Sequence, residues 1–322
     1  MKNLILYGLI ITLLVTGGLA MATTIPSQVK DIVTFIFIKA PNGQLVPNGT
    51  GFFVGVKSEQ DTAKSFVYLV TAKHVLQDSS KQYYDSVYIR LNKKDSGSEF
   101  IQIPVKENTT VFLHQDPTVD IAVIPALPDQ KIFDFKMLPE EMLTTKELFE
   151  KNHIKEGDEV FFTGLFTGHV GAKKNYPIVR FGRVAMLTDE KIEWEGELVD
   201  LYLVETQSFG GNSGAPVFFY LGAIRDPGVI RVGTPKLFLA GVMKGSFNKG
   251  NPISVVQTNT IPIAYENLGI AAVVPAYNLH EILFSDKLRA IRKSAQPVPD
   301  AQDPSKAPTV TDTAKETTSS GK

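Results

Sequence analysis

Ser213 is the first candidate for chemistry in this sequence. It lies between glycines in the segment GGNSGAPV (210–217), directly before an apolar stretch. Flanking glycines allow a sharp turn that uncovers the hydroxyl and directs successive backbone N–H groups toward one point. A serine hydroxyl is a weak nucleophile at neutral pH, so it needs a nearby base and donors for the oxyanion that forms on attack. The amides of Gly211 and Ser213 are the candidate donors, and a plain turn between strands is the competing interpretation.

A candidate base and a candidate acid precede this serine in the chain. His74 lies in TAKHVL, at the end of the strand-like segment FVYLVTA. Histidine is the side chain best suited to take and return a proton near neutral pH. Asp120 begins the apolar segment DIAVI, where a carboxylate is costly unless it is hydrogen-bonded, and orienting an imidazole would satisfy it. Asp116, beside Pro117 in a predicted turn, is the competing aspartate.

The composition excludes several other kinds of chemistry. The 322 residues include 33 Lys and Arg, 34 Asp and Glu and no cysteine, for a formal net charge of -1. This balance gives no basic surplus for binding nucleic acid. Without cysteine there are no disulfides, no Cys-ligated metal sites and no thiol catalysis. The remaining histidines show no HExxH or His-x-His spacing, so neither a metal nor another cofactor is predicted.

Short β-branched and aromatic segments, separated by Gly, Pro, Asn and Asp, fill the middle of the chain. They form two sets of about six, which predicts an all-β fold of two small barrels. The predicted units are a first barrel at 25–127, a linker with a short helix at 128–157, a second barrel at 158–276 and an amphipathic C-terminal helix at 277–293.

The two ends are predicted to lie outside this fold. Residues 1–22 have the layout of a secretory signal peptide, with an apolar run after Lys2 and an A-x-A site that ends at Ala22. The alternative is a retained N-terminal anchor, with membrane attachment through residues 3–24. Both interpretations place the folded part outside the cytoplasm. Residues 294–322 have too few apolar side chains to pack and are predicted to be a disordered tail.

Taken together, GTGFFV, TAKHVL, DIAVI and GGNSGAPV resemble the trypsin-like (chymotrypsin-fold) serine peptidases of bacterial type, over roughly Ile25 to Arg292. The resemblance implies two six-stranded antiparallel β-barrels with a C-terminal helix. It also implies a catalytic triad of His74, Asp120 and Ser213, an oxyanion hole formed by Gly211 and Ser213, and polypeptide substrates. An exported serine endopeptidase with an acyl-enzyme intermediate and no cofactor is therefore expected.

The departures from the family pattern concern activation and the substrate pocket. Asn212 replaces the aspartate with which some members bind a newly freed N-terminus, so activation by N-terminal cleavage is not expected. By resemblance, the pocket includes Gln207 and Ser208, which offer no acid for a basic substrate side chain. Met243 aligns with the histidine with which glutamyl endopeptidases bind a carboxylate. Lys244 beside it could take over that role electrostatically, and a lysine that faces the solvent is the competing and more common interpretation. A medium-sized, mostly apolar or uncharged pocket is expected.

Two other functions remain compatible with these residues. The first is a catalytically silent peptidase homologue that binds proteins through the same cleft. The second is an esterase or acyl-transfer enzyme, which the lack of a strand–helix nucleophile elbow disfavours.

Overall fold

The computed structural model describes residues 25–61, 63–107, 109–222, 224–226, 229–230, 236–252, 263–295 and 298–299. The predicted signal segment or anchor at 1–22, and nearly all of the predicted tail at 294–322, lie outside the described residues. In the described part of the chain, none of the helices has the length and apolar character needed to span a bilayer.

The first half of the chain forms a nine-stranded sheet. Its strands are β1 (Val33–Lys39), β2 (Leu45–Lys57), β3 (Lys64–Thr71), β4 (Ser86–Asn92), β5 (Ser98–Pro104), β6 (Phe112–Leu113), β7 (Ala122–Pro125), β8 (Leu138–Pro139) and, from the C-terminus, β19 (Val298–Pro299). The main path runs β5-β4-β1-β2-β3-β7-β6, while β8 pairs with β2 and β19 with β3. Successive residues of β2 are fully buried, because both faces of the sheet are covered by apolar side chains.

The second half contains a closed barrel of six strands in the order β10-β13-β18-β17-β14-β9. These strands are β9 (Glu159–Gly164), β10 (Ile178–Met186), β13 (Tyr202–Glu205), β14 (Pro216–Leu221), β17 (Lys236–Pro252) and β18 (Ile263–Pro275). Two hairpins project from it, β11 (Ile192–Trp194) with β12 (Glu197–Val199), and β15 (Ile224–Asp226) with β16 (Val229–Ile230). The predicted all-β fold is confirmed, and the first sheet has eight strands from the first half of the chain and β19 from the C-terminus in place of the expected six.

The described helices are short and lie at the edges of the sheets. They are α1 (Gln28–Asp31), α2 (Lys146–Lys151), α3 (Ala276–Leu283) and α4 (Asp286–Ser294), together with 3-10 turns at Lys73–Leu76 and Glu140–Met142. The C-terminal helix is present as two helices, because the Ser285 side chain caps a new start by accepting the N–H of Leu288. In α4, Arg292 donates to the Tyr68 hydroxyl of β3 over 3.1 Å, so the chain returns from the second barrel to the first sheet.

Candidate active site

His74 and Asp120 lie together where the first sheet meets the cleft. The 3-10 turn that follows β3 carries His74, and Asn48 of β2 supports the turn by donating to the Val75 carbonyl over 2.7 Å. Asp120 accepts the His74 backbone N–H at Oδ1 over 3.0 Å, and its Oδ2 is 2.7 Å from His74 Nδ1. The Asp120 side chain is 4% exposed, whereas that of His74 is 45% exposed. The imidazole is therefore fixed from the buried side, and Nε2 is left to face the cleft.

Charge complementarity keeps the buried Asp120 ionised. Burial on its own would raise the pKa of Asp120, but the His74 ring and the Lys244 ammonium outweigh it and lower that pKa to about 2. Lys244 contributes through a 3.1 Å contact from its Nζ to Asp120 Oδ2. The carboxylate is therefore ready to orient an imidazole and to stabilise a positive charge on it.

Glycine is required at two positions of the loop that carries Ser213. Gly211 and Gly214 have φ angles of +94° and +83°, in the left-handed region that other residues rarely adopt. A Cβ at Gly214 would also lie 2.1 Å from the Thr50 carbonyl oxygen and 2.3 Å from Thr71 Oγ1. The loop therefore packs closely against β2, and Ser213 lies at the tip of the loop.

Thr50, on β2, connects the first sheet to this loop. Its hydroxyl donates to the Gly211 carbonyl over 2.7 Å and accepts the Leu165 N–H over 3.0 Å, and its own N–H donates to the Ser213 carbonyl over 2.9 Å. Thr50 is fully buried. The sequence indicated GTGFFV only as a strand, so it gave no signal of this role.

The Ser213 hydroxyl donates to the Lys244 carbonyl over 3.1 Å. Among the described residues it makes no hydrogen bond to His74. In the same part of the chain, the N–H groups of Gly211 and Ser213 donate to no protein acceptor. Two donors next to an uncovered hydroxyl are what an oxyanion formed at that point would need.

The four predicted pocket residues are placed differently from one another. The Gln207 side chain is exposed beside the serine loop, whereas Ser208 is 2% exposed and its carbonyl accepts from Asn267 over 2.7 Å. Met243 is fully buried in the barrel core, and its backbone pairs with Gly214 and Ala215. Lys244 faces Asp120, so of the two neighbours only its side chain reaches the cleft.

Asn212 is fully engaged with the backbone around it. Its Nδ2 donates to the Leu165 carbonyl over 2.7 Å, and its Oδ1 accepts the Phe209 N–H over 2.9 Å. Both of these bonds join neutral groups, and they hold the serine loop in place.

The cleft that contains His74, Asp120 and Lys244 has a volume of about 360 Å³. The β11–β12 hairpin forms one wall with Trp194 and reaches across to the first half, where Lys191 contacts Asp116 over 3.1 Å. Asp116 accepts from Thr118 as well and has no contact with His74 among the described residues. The contacts therefore distinguish the two candidate aspartates. Asp120 contacts the imidazole, and Asp116 lies at the cleft rim.

Replacing Thr50 with valine is expected to disturb the serine loop while preserving the shape of the side chain. The change leaves the Gly211 carbonyl and the Leu165 N–H buried without their partner, which should lower the free energy of unfolding by about 2 kcal/mol. The displaced loop should slow acylation of Ser213 by about tenfold. Urea unfolding and the rate of labelling by a fluorophosphonate measure the two effects.

Thr34→Val is the matched control, because Thr34 is also fully buried and donates over 2.8 Å to the Arg90 carbonyl within the first sheet. We expect this variant to lose stability without a change in the labelling rate of the folded protein. Equal labelling rates for both variants would contradict a positioning role for Thr50.

No three metal-binding side chains are grouped together in the described part of the chain. The sequence matches the family model for the trypsin-like peptidase domain over residues 49–223, which is more than half of the chain and contains His74, Asp120 and Ser213. No curated protein matches the sequence.

Several solved structures are similar to this chain. The protease domain of MamO from Magnetospirillum magneticum has 16% identity over 84% of this chain and 98% of its own, with a TM-score of 0.42. The Grass clip serine protease of the Drosophila Toll pathway has 14% identity over 76% of this chain and 68% of its own, with a TM-score of 0.41. A catalytically inactive tobacco etch virus protease in complex with substrate has 12% identity over 86% of this chain and 90% of its own, with a TM-score of 0.39.

Proposed function

The chain belongs to the trypsin-like peptidase family, and from this premise we propose that it is an exported serine endopeptidase with His74, Asp120 and Ser213 as its catalytic triad. The observation that carries the proposal is the 2.7 Å contact between the buried Asp120 carboxylate and His74 Nδ1, beside Lys244, which contacts Asp120 through its ammonium and Ser213 through its carbonyl. The domain organisation proposed with it is the two-barrel division at 25–127 and 158–276.

In the proposed reaction, Ser213 Oγ attacks the carbonyl carbon of the scissile peptide bond as its proton passes to His74 Nε2. The hydroxyl first rotates from the Lys244 carbonyl toward the imidazole, which exchanges one hydrogen bond for another. His74 then returns the proton to the leaving amine as the carbon–nitrogen bond breaks, which leaves an acyl-enzyme. Water repeats the sequence, releasing the second product and restoring the serine.

The protein environment stabilises both charges that form in this sequence. Asp120 stabilises the imidazolium and holds the tautomer that carries its proton on Nδ1. The N–H groups of Gly211 and Ser213 donate to the oxyanion, and each such donor contributes about 3 kcal/mol to transition-state stabilisation in comparable sites. The chemistry proposed here uses only side chains and amides of the chain itself.

Export is the part of the proposal that depends on residues 1–22. A short apolar run that ends in an A-x-A site supports secretion with cleavage, and a retained anchor over 3–24 would keep the same domain outside the cytoplasm. A fold of this size without cysteine is stabilised by its apolar cores in an oxidising compartment.

Native labelling tests the proposed function directly. We expect a fluorophosphonate to modify the purified protein once, with the added mass mapping to Ser213, and to leave the heat-unfolded protein unmodified. Absence of native labelling would favour the catalytically silent homologue. Labelling without hydrolysis of any member of a mixed peptide library would favour an esterase or acyl-transfer enzyme.

Cleavage after Arg or Lys is expected to be disfavoured. The pocket wall at 206–210 contains no acid, and the Arg180 guanidinium lies 5.0 Å from the centroid of the Phe209 ring in that wall. A basic substrate side chain would meet like charge and no partner, so kcat/KM for Arg or Lys before the scissile bond should be about tenfold below that for an uncharged residue. Sequencing the products of the peptide library measures this preference, and predominant cleavage after basic residues would contradict it.

A further inference from the structure

Lys244 contacts two members of the proposed triad through different atoms. Its ammonium is 3.1 Å from Asp120 Oδ2, the same oxygen that lies 2.7 Å from His74 Nδ1, and its carbonyl accepts the Ser213 hydroxyl. The Lys244 side chain is 14% exposed and that of Asp120 is 4% exposed. Because water is largely excluded, this ion pair is screened much less than one at the surface.

The local backbone explains why a lysine on a barrel strand reaches Asp120. The pairing of β17 with β18 shifts register between Met243 and Gly245, so Lys244 is the extra residue of a β-bulge. Bulges re-aim a side chain out of the regular alternation of a strand. Trp194 of the β11–β12 hairpin lies beside the redirected side chain, with the centroid of its ring 5.7 Å from the ammonium.

We propose that Lys244 is a positioning residue: its ammonium competes with the His74 ring for the Asp120 carboxylate, and this competition sets the pH dependence of the proposed reaction. The inference rests on the proposed function. When Ser213 gives its proton to His74, the new imidazolium shares Asp120 with an ammonium already in place. Like charges that share one partner oppose each other's charged form. We therefore expect Lys244 to extend the reaction into more acidic solution and to slow it on the neutral plateau.

Other charged or titratable groups around the pair are more exposed or have other partners. They are Lys73, whose ammonium donates to the Pro117 carbonyl; Asp78, Lys81 and Tyr83 after the histidine turn; Asp116 with Lys191; and Glu195 and Glu197 of the hairpin. The ammonium groups of Lys81 and Lys191 belong to side chains that are 75% and 49% exposed, and both pair with carboxylates. Lys244 is thus the sheltered lysine that directly contacts Asp120.

Replacing Lys244 with methionine removes the charge and keeps most of the side-chain volume. We expect the acid limb of the fluorophosphonate labelling rate to move up by about one pH unit, so that the variant reacts about tenfold more slowly than wild type on that limb. On the plateau above it, the variant should be about threefold faster, because the imidazolium that forms during acylation no longer shares Asp120 with a second cation. The two pH profiles therefore cross. Lys244→Gln, which keeps a donor but removes the charge, gives the same test if the methionine variant does not fold.

Lys244→Arg should restore the wild-type profile, because it returns the charge to Asp120. Lys236→Met is the matched control, since Lys236 lies on the same strand and its ammonium contacts Asn152 instead. We expect its profile to coincide with that of wild type. A uniform loss of rate at every pH in the Lys244→Met and Lys244→Gln variants would overturn the inference and leave the proposed function intact. A wild-type protein that is never labelled would overturn the proposed function, and the inference with it.

Discussion

Replacement of Ser213 by alanine should reduce peptide hydrolysis by about a million-fold, to a rate set only by residual binding and oxyanion stabilisation. In the proposed reaction Ser213 Oγ forms the bond to the acyl group, and neither His74 nor Asp120 can take its place. Fluorophosphonate labelling should disappear together with hydrolysis. Since Ser213 Oγ makes a single hydrogen bond within the described part of the chain, to a carbonyl, the free energy of unfolding should change by no more than about 1 kcal/mol.

Ser86→Ala is a suitable control for this substitution. Ser86 Oγ accepts from Gln102 at an exposed position of the first sheet, far along the chain from the serine loop. We expect full labelling and hydrolysis in this variant. Labelling of the Ser213→Ala protein at the wild-type rate would remove Ser213 from the mechanism, since the reagent would then be reacting elsewhere.

Replacement of Asp120 by asparagine should lower kcat by about ten-thousand-fold, as loss of this carboxylate does in comparable triads. The neutral amide cannot stabilise an imidazolium, and it allows the tautomer with the proton on the wrong nitrogen. Lys244 would also lose its partner while it remains 14% exposed, so the free energy of unfolding should fall by about 3 kcal/mol. Single-turnover acylation, measured at a temperature where urea unfolding shows the variant to be folded, separates the two effects.

Asp116→Asn is the matched control, because it makes the same substitution four residues earlier, at the cleft rim. Asp116 binds Thr118 and Lys191, and these contacts lower its pKa to about 2. We expect the variant to retain wild-type acylation within about twofold, since it alters only a solvent-exposed pair. A large loss of rate in Asp116→Asn with none in Asp120→Asn would reverse the assignment of the two aspartates.

Local sequence was sufficient to propose the triad because each member is marked by its neighbours. The glycines around Ser213 are needed for left-handed backbone, which glycine alone adopts freely, and this requirement is visible without a structure. His74 and Asp120 border apolar strands, where a polar side chain is costly unless it has a hydrogen-bond partner. The strands of both halves were likewise predictable, because alternation and β-branched composition are local properties.

The supporting contacts were not predictable for a physical reason. Thr50 and Lys244 act on residues that are distant in sequence, Thr50 by contacts to the backbone of the serine loop and Lys244 through a bulge that breaks the alternation of its strand. A regular strand pattern says nothing of where a register shift falls. Strands of two residues, such as β6 and β8, are too short to show any periodicity, which is why the first sheet has more strands than expected.

The bonds from Thr50 to the serine loop also bear on when the candidate active site is assembled during synthesis and folding. The proposed nucleophile is synthesised last among the three residues of the proposed triad, and its loop is held by a strand made more than a hundred residues earlier. Closing so long a stretch of chain is among the later events of folding. A partly synthesised or half-folded chain would therefore lack the assembled serine loop, and the proposed peptidase activity would arise only once the second half of the chain has folded onto β2.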